Sequence, residues 1–406
     1  MSFKVSLPAQ GQNLLTRNYT QFNEITNRSN LNLFFHKTHN ATYTSTKPNK
    51  SRNLILSTAA MFNTEEPIKP LVVVGSINAD LVLEVPRLPK PGETLSSSTM
   101  NVYPGGKGAN QAAAASKLGY PTEFVGQVGR DAYAPMLRTA LADCGVDTSK
   151  LHSIEGSSGL AFIMLQPGGE NSIVLVGGAN TSEEWQIEDD VTAAIQSAGA
   201  VLLQREIPET VNVIFAKLAA GSKIPVILDA GGADRPLAHD LLPNISILSP
   251  NETELQRLTG LPTKTEKQCI AAAEALVHQG VNKVLVKMGA KGSILVDIYG
   301  NVVKQKAAAV LNVEDTTGAG DCFTGAYAVA MLEGKSDAEA MEWAGIAASL
   351  CIQRQGAIPS MPLRAEVERE MLERKKNSGG SGGGKNVVGS HSQVAASPPL
   401  PKQNYW

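Results

Sequence analysis

The chain has 406 residues, 42% of them hydrophobic and 18% charged, with a formal net charge of −2. That length permits a large hydrophobic core in one domain or two, and the composition is ordinary for a globular chain. The near balance of charge argues against a nucleic-acid partner or an anionic membrane surface, and no apolar run approaches the roughly eighteen residues of a membrane span. Four widely spaced cysteines, Cys144, Cys269, Cys322 and Cys351, suit buried thiols in a reducing compartment better than a disulfide framework or a metal site.

Residues 1–67 read as an arm whose first sixty or so residues are rich in Ser, Thr and Asn, with scattered basic residues and a single acidic one, Glu24. This is the composition of an organelle transit peptide, the alternative being a plain disordered arm. Next, Leu71–Val74 reads as a strand buried on both faces, ending at Gly75. Similar runs follow at Val201–Leu203, Pro225–Leu228, Ile245–Leu248 and Lys283–Val286, with helical stretches such as Val211–Ala220 and Glu266–Gln279 between them. The alternation predicts an α/β fold with a doubly wound, mostly parallel sheet over residues 68–372. Ligands bind such sheets beyond the C-terminal strand ends, where the sequence places Asn78, Asp80, Arg205, Glu206, Asp229 and Asn251–Glu254.

Extended pieces at Asp80–Val85, Thr94–Tyr103, Leu160–Leu165 and Ser172–Val176 predict a small antiparallel second sheet, a lid from about 80–104 and 159–178. An apolar strand is expected at Ala309–Val313, and residues 373–406, with their Gly-Ser and Pro-Ser bias, read as a disordered tail.

Three segments carry chemistry. Gly105-Gly106-Lys107-Gly108-Ala109-Asn110-Gln111 opens an alanine-rich helix that closes at Gly119, so backbone there can approach a ligand closely. Asp315-Thr316-Thr317-Gly318-Ala319-Gly320-Asp321 opens another helix. The amides of 318–321 would face a developing negative charge, and Asp321 beside them could accept a hydroxyl proton. A plain helix-dipole role for Asp321 explains the same residues equally well. Pro250-Asn251-Glu252-Thr253-Glu254 nearly fits a capping box, and its carboxylates also suit Mg²⁺. Gly289-Ala290-Lys291-Gly292 is a turn at the same sheet edge, for a phosphate or only for a hairpin. The six histidines show no metal-ligand spacing.

Together these segments resemble the ribokinase-like (PfkB) carbohydrate kinase family, over about Leu71–Pro362, and the Asp315–Gly325 string is the more specific part. The resemblance implies that Asn78, Asp80, Gly105, Gly106, Lys107, Asn110 and Glu206 hold a sugar, with Asp321 as base and Gly318, Ala319 and Gly320 as anion hole. It places Asn251 and Glu254 by the phosphates and Mg²⁺, Lys287, Gly289, Gly292 and Gly320 by ATP, and Gly345 by adenine. A backbone-built K⁺ site would involve Asp315, Thr317, Cys351, Arg354, Gly356 and Ser360. Lys287 stands where members often have threonine, and Gly345 where a side chain often packs on adenine. The implied reaction is ATP-dependent phosphorylation of D-ribose at O5, in a homodimer joined through the lid. Another sugar or nucleoside acceptor, or a non-catalytic sugar-binding protein of the same fold, are the alternatives. The arm then suits the chloroplast stroma, with the mitochondrion second.

Overall fold

The computed structural model describes residues 68–167 and 170–379. The expected transit peptide and almost all of the expected tail lie outside them. In chain order the elements are β1 (Leu71–Val74), β2 (Asn78–Glu84), β3 (Met100–Gly105), α1 (Lys107–Lys117), β4 (Thr122–Gly129), α2 (Ala134–Asp143), β5 (Leu151–Ile154), β6 (Gly159–Leu165) and β7 (Asn171–Val176). They continue with α3 (Asp189–Ser197), β8 (Ala200–Arg205), α4 (Glu209–Gly221), β9 (Val226–Gly232), β10 (Ile247–Ser249), α5 (Glu252–Thr259), α6 (Glu266–His278) and β11 (Lys283–Lys287). Last come β12 (Ser293–Asp297), β13 (Val302–Gln305), α7 (Ala319–Leu332), α8 (Asp337–Cys351) and α9 (Arg364–Gly379).

Among the described residues, nine strands make one sheet in the order β13-β12-β11-β10-β9-β8-β1-β4-β5. Every pairing from β11 across to β5 is parallel, and β12 and β13 add an antiparallel edge. All four residues of β1 are fully buried, because both faces of the sheet are covered. Leu71 and Val73 belong to a core shared with α1, α7 and α8, whereas Val72 and Val74 belong to one shared with α3, α4 and α6. Each such aliphatic side chain contributes about 1.5–3 kcal/mol by leaving water.

The second sheet has the order β3-β2-β6-β7 and is mixed, not antiparallel as the sequence suggested: β2 and β6 run parallel. Connectivity explains the difference. β2 follows β1 and β6 follows β5, both parallel members of the main sheet, so both leave it in one direction. The β6–β7 hairpin is as expected, whereas the second extended piece, expected from Thr94, is a strand only from Met100.

No strand forms at Ala309–Val313. Leu311 is fully exposed and Val313 largely so, and the sheet edge has already ended with β13 at Gln305. At the C-terminal end, α9 continues to Gly379, beyond the boundary expected at 372. Arg374 holds that turn by bonding Glu370 and the Ala309 carbonyl, each at 2.7 Å.

The start of α1 is pressed onto the β1–β2 turn. The Ala109 amide donates to the Ser76 carbonyl (2.9 Å), and a Cβ on Gly108 would lie 2.7 Å from Ser76 N and 2.8 Å from Gly75 C. Gly108→Ala should therefore destabilise the fold by about 1–3 kcal/mol, the usual range for overpacking, with no new polar group introduced. Urea unfolding at equilibrium checks this, and an unchanged midpoint would contradict the close approach.

Candidate active site

The site lies beyond the C-terminal ends of β1, β8, β9, β10 and β11, where α1 and α7 also begin. Small residues allow those two helices to approach. A Cβ on Gly325 would lie 2.8 Å from the Gln111 carbonyl and 3.1 Å from Ala114 Cβ. Their first turns are thereby brought side by side. Asn110 Nδ2 donates to Asp321 Oδ2 (2.9 Å), and Gln111 Nε2 donates to Asp321 Oδ1 (3.0 Å). Gln111 is aimed by a bond from Gln204 Nε2 (2.8 Å).

Asp321 is buried. Burial pushes its carboxyl above the ordinary carboxylate range. Lys107 opposes that shift, Asp229 adds to it, and the two amide donors oppose it again. α7 starts at Gly318, whose φ of 76° favours glycine and whose Cα side rests on Ala357 and Met361. The Ala319 amide is turned inward, donating to the Thr316 carbonyl (3.2 Å), so it is not part of the open donor set. The amides of Gly320 and Asp321 belong to the first helical turn, whose donors have no acceptor within the helix.

The sugar-side residues expected from the sequence come together. Glu206 Oε2 accepts from Ser76 Oγ (2.6 Å) and from the Lys107 amide (3.1 Å), tying β8 to the start of α1. Asp80 lies against Gly105, where any side chain would collide with its carboxylate. Gly106 has φ 91° and packs on Ile77 and Asn78, so it too must remain glycine. Asn110 Oδ1 is buried without a hydrogen-bond partner among the described residues. The Lys107 side chain lies over Gly231, amid Asp321, Asp229, Glu206 and Glu254. The carboxylates, Asp321 foremost, outweigh burial and hold its ammonium above the usual lysine range.

On the other side, Asn251 and Glu254 form the capping box in full: Glu254 N donates to Asn251 Oδ1, and Asn251 N to Glu254 Oε2, each 2.8 Å. Lys287 Nζ bonds Asp229 Oδ2 (2.6 Å) and Thr324 Oγ1 (3.2 Å), and lies 3.8 Å from where a Cβ on Gly320 would sit. Gly289–Lys291 is a single 3-10 turn joining antiparallel β11 and β12. Gly292 has a packing reason of its own, since a side chain there would collide with the Gln305 carbonyl. Gly345 on α8 opens onto free space.

The residues expected around a monovalent cation divide. Asp315 Oδ1 accepts from Thr317 N and Oδ2 from Gly356 N, both 2.9 Å, so its carboxylate joins the two loops. Arg354 instead turns its guanidinium to Glu366, and Cys351 Sγ meets Ser360 Oγ at 3.0 Å.

Several residues of the site were not singled out from the sequence. Ser76, Gln111, Asn180 and Thr324 are ordinary polar residues until the fold juxtaposes them, and Asp229 was visible only as a polar residue at a strand end. Asn180 accepts from Ile77 N (3.0 Å) and donates to the Ile77 carbonyl (3.1 Å) and to Asn78 Oδ1 (2.7 Å), which fixes Asn78. Arg205, at the same sheet edge, is used otherwise. It is buried and binds the carbonyls of Ala233 and Pro236 and the Glu209 carboxylate.

A doubly wound sheet with a small lid, a carboxylate beside helix-terminal amides and a lysine on either side define a phosphotransferase site. The chain matches the model of the pfkB family carbohydrate kinases over residues 69–364 and belongs to that family. A ribokinase from Arabidopsis thaliana is 52% identical over 303 residues, covering 73% of this chain and 80% of that protein. The solved structure of Arabidopsis thaliana ribokinase complexed with ribose and ATP superposes with a TM-score of 0.72 at 50% identity, covering 75% of this chain and 98% of that one. A deoxyribokinase from Salmonella typhi is 32% identical, covering 72% of this chain and 95% of that protein. The protein is an ATP-dependent carbohydrate kinase.

Asp80 provides a test of the acid cluster. Burial first, then the charges of Glu206 and Asp321, push its carboxyl from 3.8 up to about 7. Unfolding releases that strain, so the folded state binds the proton more tightly. The resulting penalty is nil below about pH 3.8, grows as pH rises to about 7, and is then constant, on the order of 4 kcal/mol. Asp80→Asn should therefore raise Tm by several degrees at pH 8 and leave it almost unchanged below pH 4. Calorimetry at the two pH values checks the sign, and a lower Tm at pH 8 would overturn it.

Proposed function

We propose that the protein transfers the γ-phosphoryl group of ATP to O5 of D-ribose, giving D-ribose 5-phosphate. The observation that carries this reading is Asp321, buried and held by Asn110 and Gln111 at the mouth of the α7 amides. Asn78, Asp80, Gly105, Gly106, Lys107, Asn110 and Glu206 would hold the sugar. Asn offers donor and acceptor, and carboxylates accept from paired hydroxyls. With its carboxyl raised, Asp321 takes the O5 proton as that oxygen attacks the γ-phosphorus. The bond to the bridging oxygen breaks and ADP leaves, while the amides of Gly320 and Asp321 face the charge on the transferring group. The kinship to proteins named ribokinase, one of them solved with ribose and ATP, supports ribose over fructose, deoxyribose or a nucleoside. The match to a deoxyribokinase makes 2-deoxyribose the closest competitor.

ATP would lie along Asn251, Glu254, Lys287, Gly289, Gly292 and Gly320, with adenine towards the open space at Gly345. Glu254 is a buried hard-oxygen donor beside this path, which suits Mg²⁺, the ion that would neutralise phosphate charge. K⁺ would sit between the Asp315–Thr317 and Cys351–Ser360 loops. The fit is chemical: Asp315 and carbonyls are hard oxygens, Cys351 could offer only its carbonyl, and the Arg354 charge is turned away to Glu366. Dimerisation through the lid is supported by β7, where Ile173, Val174, Leu175 and Val176 are consecutive and exposed on an edge strand. The acid-poor arm before residue 68 supports chloroplast import, with the mitochondrion as second choice.

Asp321→Asn should fold and bind ribose normally but lose roughly 10² or more in kcat. ADP release with ribose, 2-deoxyribose, fructose and adenosine checks both base and acceptor. Near-normal turnover of the variant would remove Asp321 as base, and a better than tenfold kcat/KM preference for another acceptor would remove ribose.

Activity should rise several-fold when K⁺ replaces Na⁺ or a bulky organic cation at constant ionic strength, and Asp315→Ala should erase that response. Equal rates in all three salts would exclude the ion site while leaving the kinase reading intact.

A further inference from the structure

Lys287 ends β11, and Asp229 lies within β9 opposite Ser249, the last residue of β10, so the two flank that strand. Their side chains are almost buried, at 12% and 2% exposed, and meet at 2.6 Å. A buried pair of this kind adds little to stability over apolar residues of the same size, because two charges must be taken out of water. Its position suggests a different use.

Three ties fix the lysine. Its backbone amide donates to the Pro250 carbonyl (2.8 Å), joining it to the loop that carries Asn251. Its ammonium donates to Asp229 Oδ2 and to Thr324 Oγ1, and Thr324 lies one turn into α7. Thr324 Oγ1 is also 2.8 Å from Asp229 Oδ2 and 3.0 Å from the Gly320 carbonyl, so its single proton goes to one of them or is shared. Asp229 in turn accepts from the Gly231 amide (2.9 Å). Its negative charge is thus spread over an ammonium, a hydroxyl and an amide, with Lys107 as a further cation nearby. An ammonium carries three donors. Two are taken by Asp229 and Thr324, and the ammonium lies 3.8 Å from the Cβ position of Gly320, at the open side of the amide turn.

We propose that Lys287 is a catalytic residue of the phosphoryl transfer, its third N–H bonding a non-bridging oxygen of the γ-phosphoryl group, with Asp229 and Thr324 as positioning residues. The inference rests on the kinase reading above. In the step itself O5 gains phosphorus, its proton passes to Asp321, and the bridging oxygen leaves with ADP. Lys287 exchanges no proton; it supplies fixed positive charge where the equatorial oxygens gather negative charge.

The test separates this role from a structural ion pair. Lys287→Met, Asp229→Asn and the double variant are made in the full chain and compared for Tm, kcat, ribose affinity, and affinity for ADP with aluminium fluoride and Mg²⁺ in the presence of ribose. Each single variant strands one buried polar partner and should lose stability, and the double should regain it. The double should nevertheless remain about 10²-fold or more down in kcat. It should bind ADP with aluminium fluoride at least tenfold more weakly and hold ribose as wild type does. Recovery of kcat or of fluoroaluminate affinity in the double variant would overturn the proposal. If the double fails to fold, Lys287→Arg decides: an intact cation should keep fluoroaluminate affinity within tenfold of wild type, and its loss would count against the role. Failure of the wild type to phosphorylate any sugar would instead remove the kinase reading, so the two failures are distinguishable.

Discussion

Asp321 is useful only because two helix beginnings meet around it. Amide groups at a helix start have no internal acceptor, so two such starts side by side make a field that favours negative charge. Burial works in the opposite sense and raises the cost of ionising a carboxylate there. The site sits at the crossing of these effects, with Asn110 and Gln111 bonding both carboxylate oxygens so that the side chain has one orientation. That crossing depends on size. With Gly325 on α7 against the Gln111 carbonyl, and alanines at 112–115 on α1, the two axes come nearer than larger residues would allow. Moving the helices apart by one methyl group would take Asp321 out of hydrogen-bonding range of α1.

Charge is distributed around this point in an ordered way. Asp80, Glu206, Asp321, Asp229 and Glu254 are five carboxylates, and Lys107 and Lys287 are two cations set among them. The lysines stand nearest Asp321 and Asp229, whereas Asp80 is forced upward by burial first and then by two other acids, Glu206 and Asp321. The acid with least compensation is thus also the one carried by the lid sheet. An acid cluster that is this costly to ionise belongs to a binding site rather than to a core.

The sequence was most readable where one rule governed a segment. β1 was delimited to the residue, because Leu71–Val74 is uniformly apolar and Gly75 ends it. The capping box at Asn251–Glu254 and the glycine-led start of α7 follow from local backbone chemistry and formed as expected. The expected strand at Ala309–Val313 failed because apolar composition says nothing about whether a neighbour exists to pair with it. The lid was expected to be antiparallel for a similar reason. Strand direction is decided by how the chain leaves the main sheet, which no window of residues contains. Among site residues, Asn78, Asp80, Lys107, Asn110 and Asp321 were found, whereas Asn180 was not, nor were Gln111 and Thr324, although both lie inside the glycine-rich segments. Their roles arise from partners up to 210 positions away, and their types are common on any surface.

The pocket floor is built from glycines that leave no room for a side chain: Gly105 against Asp80, Gly106 against Ile77 and Asn78, Gly108 against Ser76, and Gly159 against Asn78 and Asn180. Each faces backbone or a residue of the site itself, so none can accept a methyl group without displacing its neighbour. Substitution is therefore costly along this floor, most of all at Gly106 and Gly108, which face backbone. A change of acceptor during evolution would have to enter through residues other than these glycines. The rigidity of that floor thus also decides which evolutionary routes to a new acceptor remain passable.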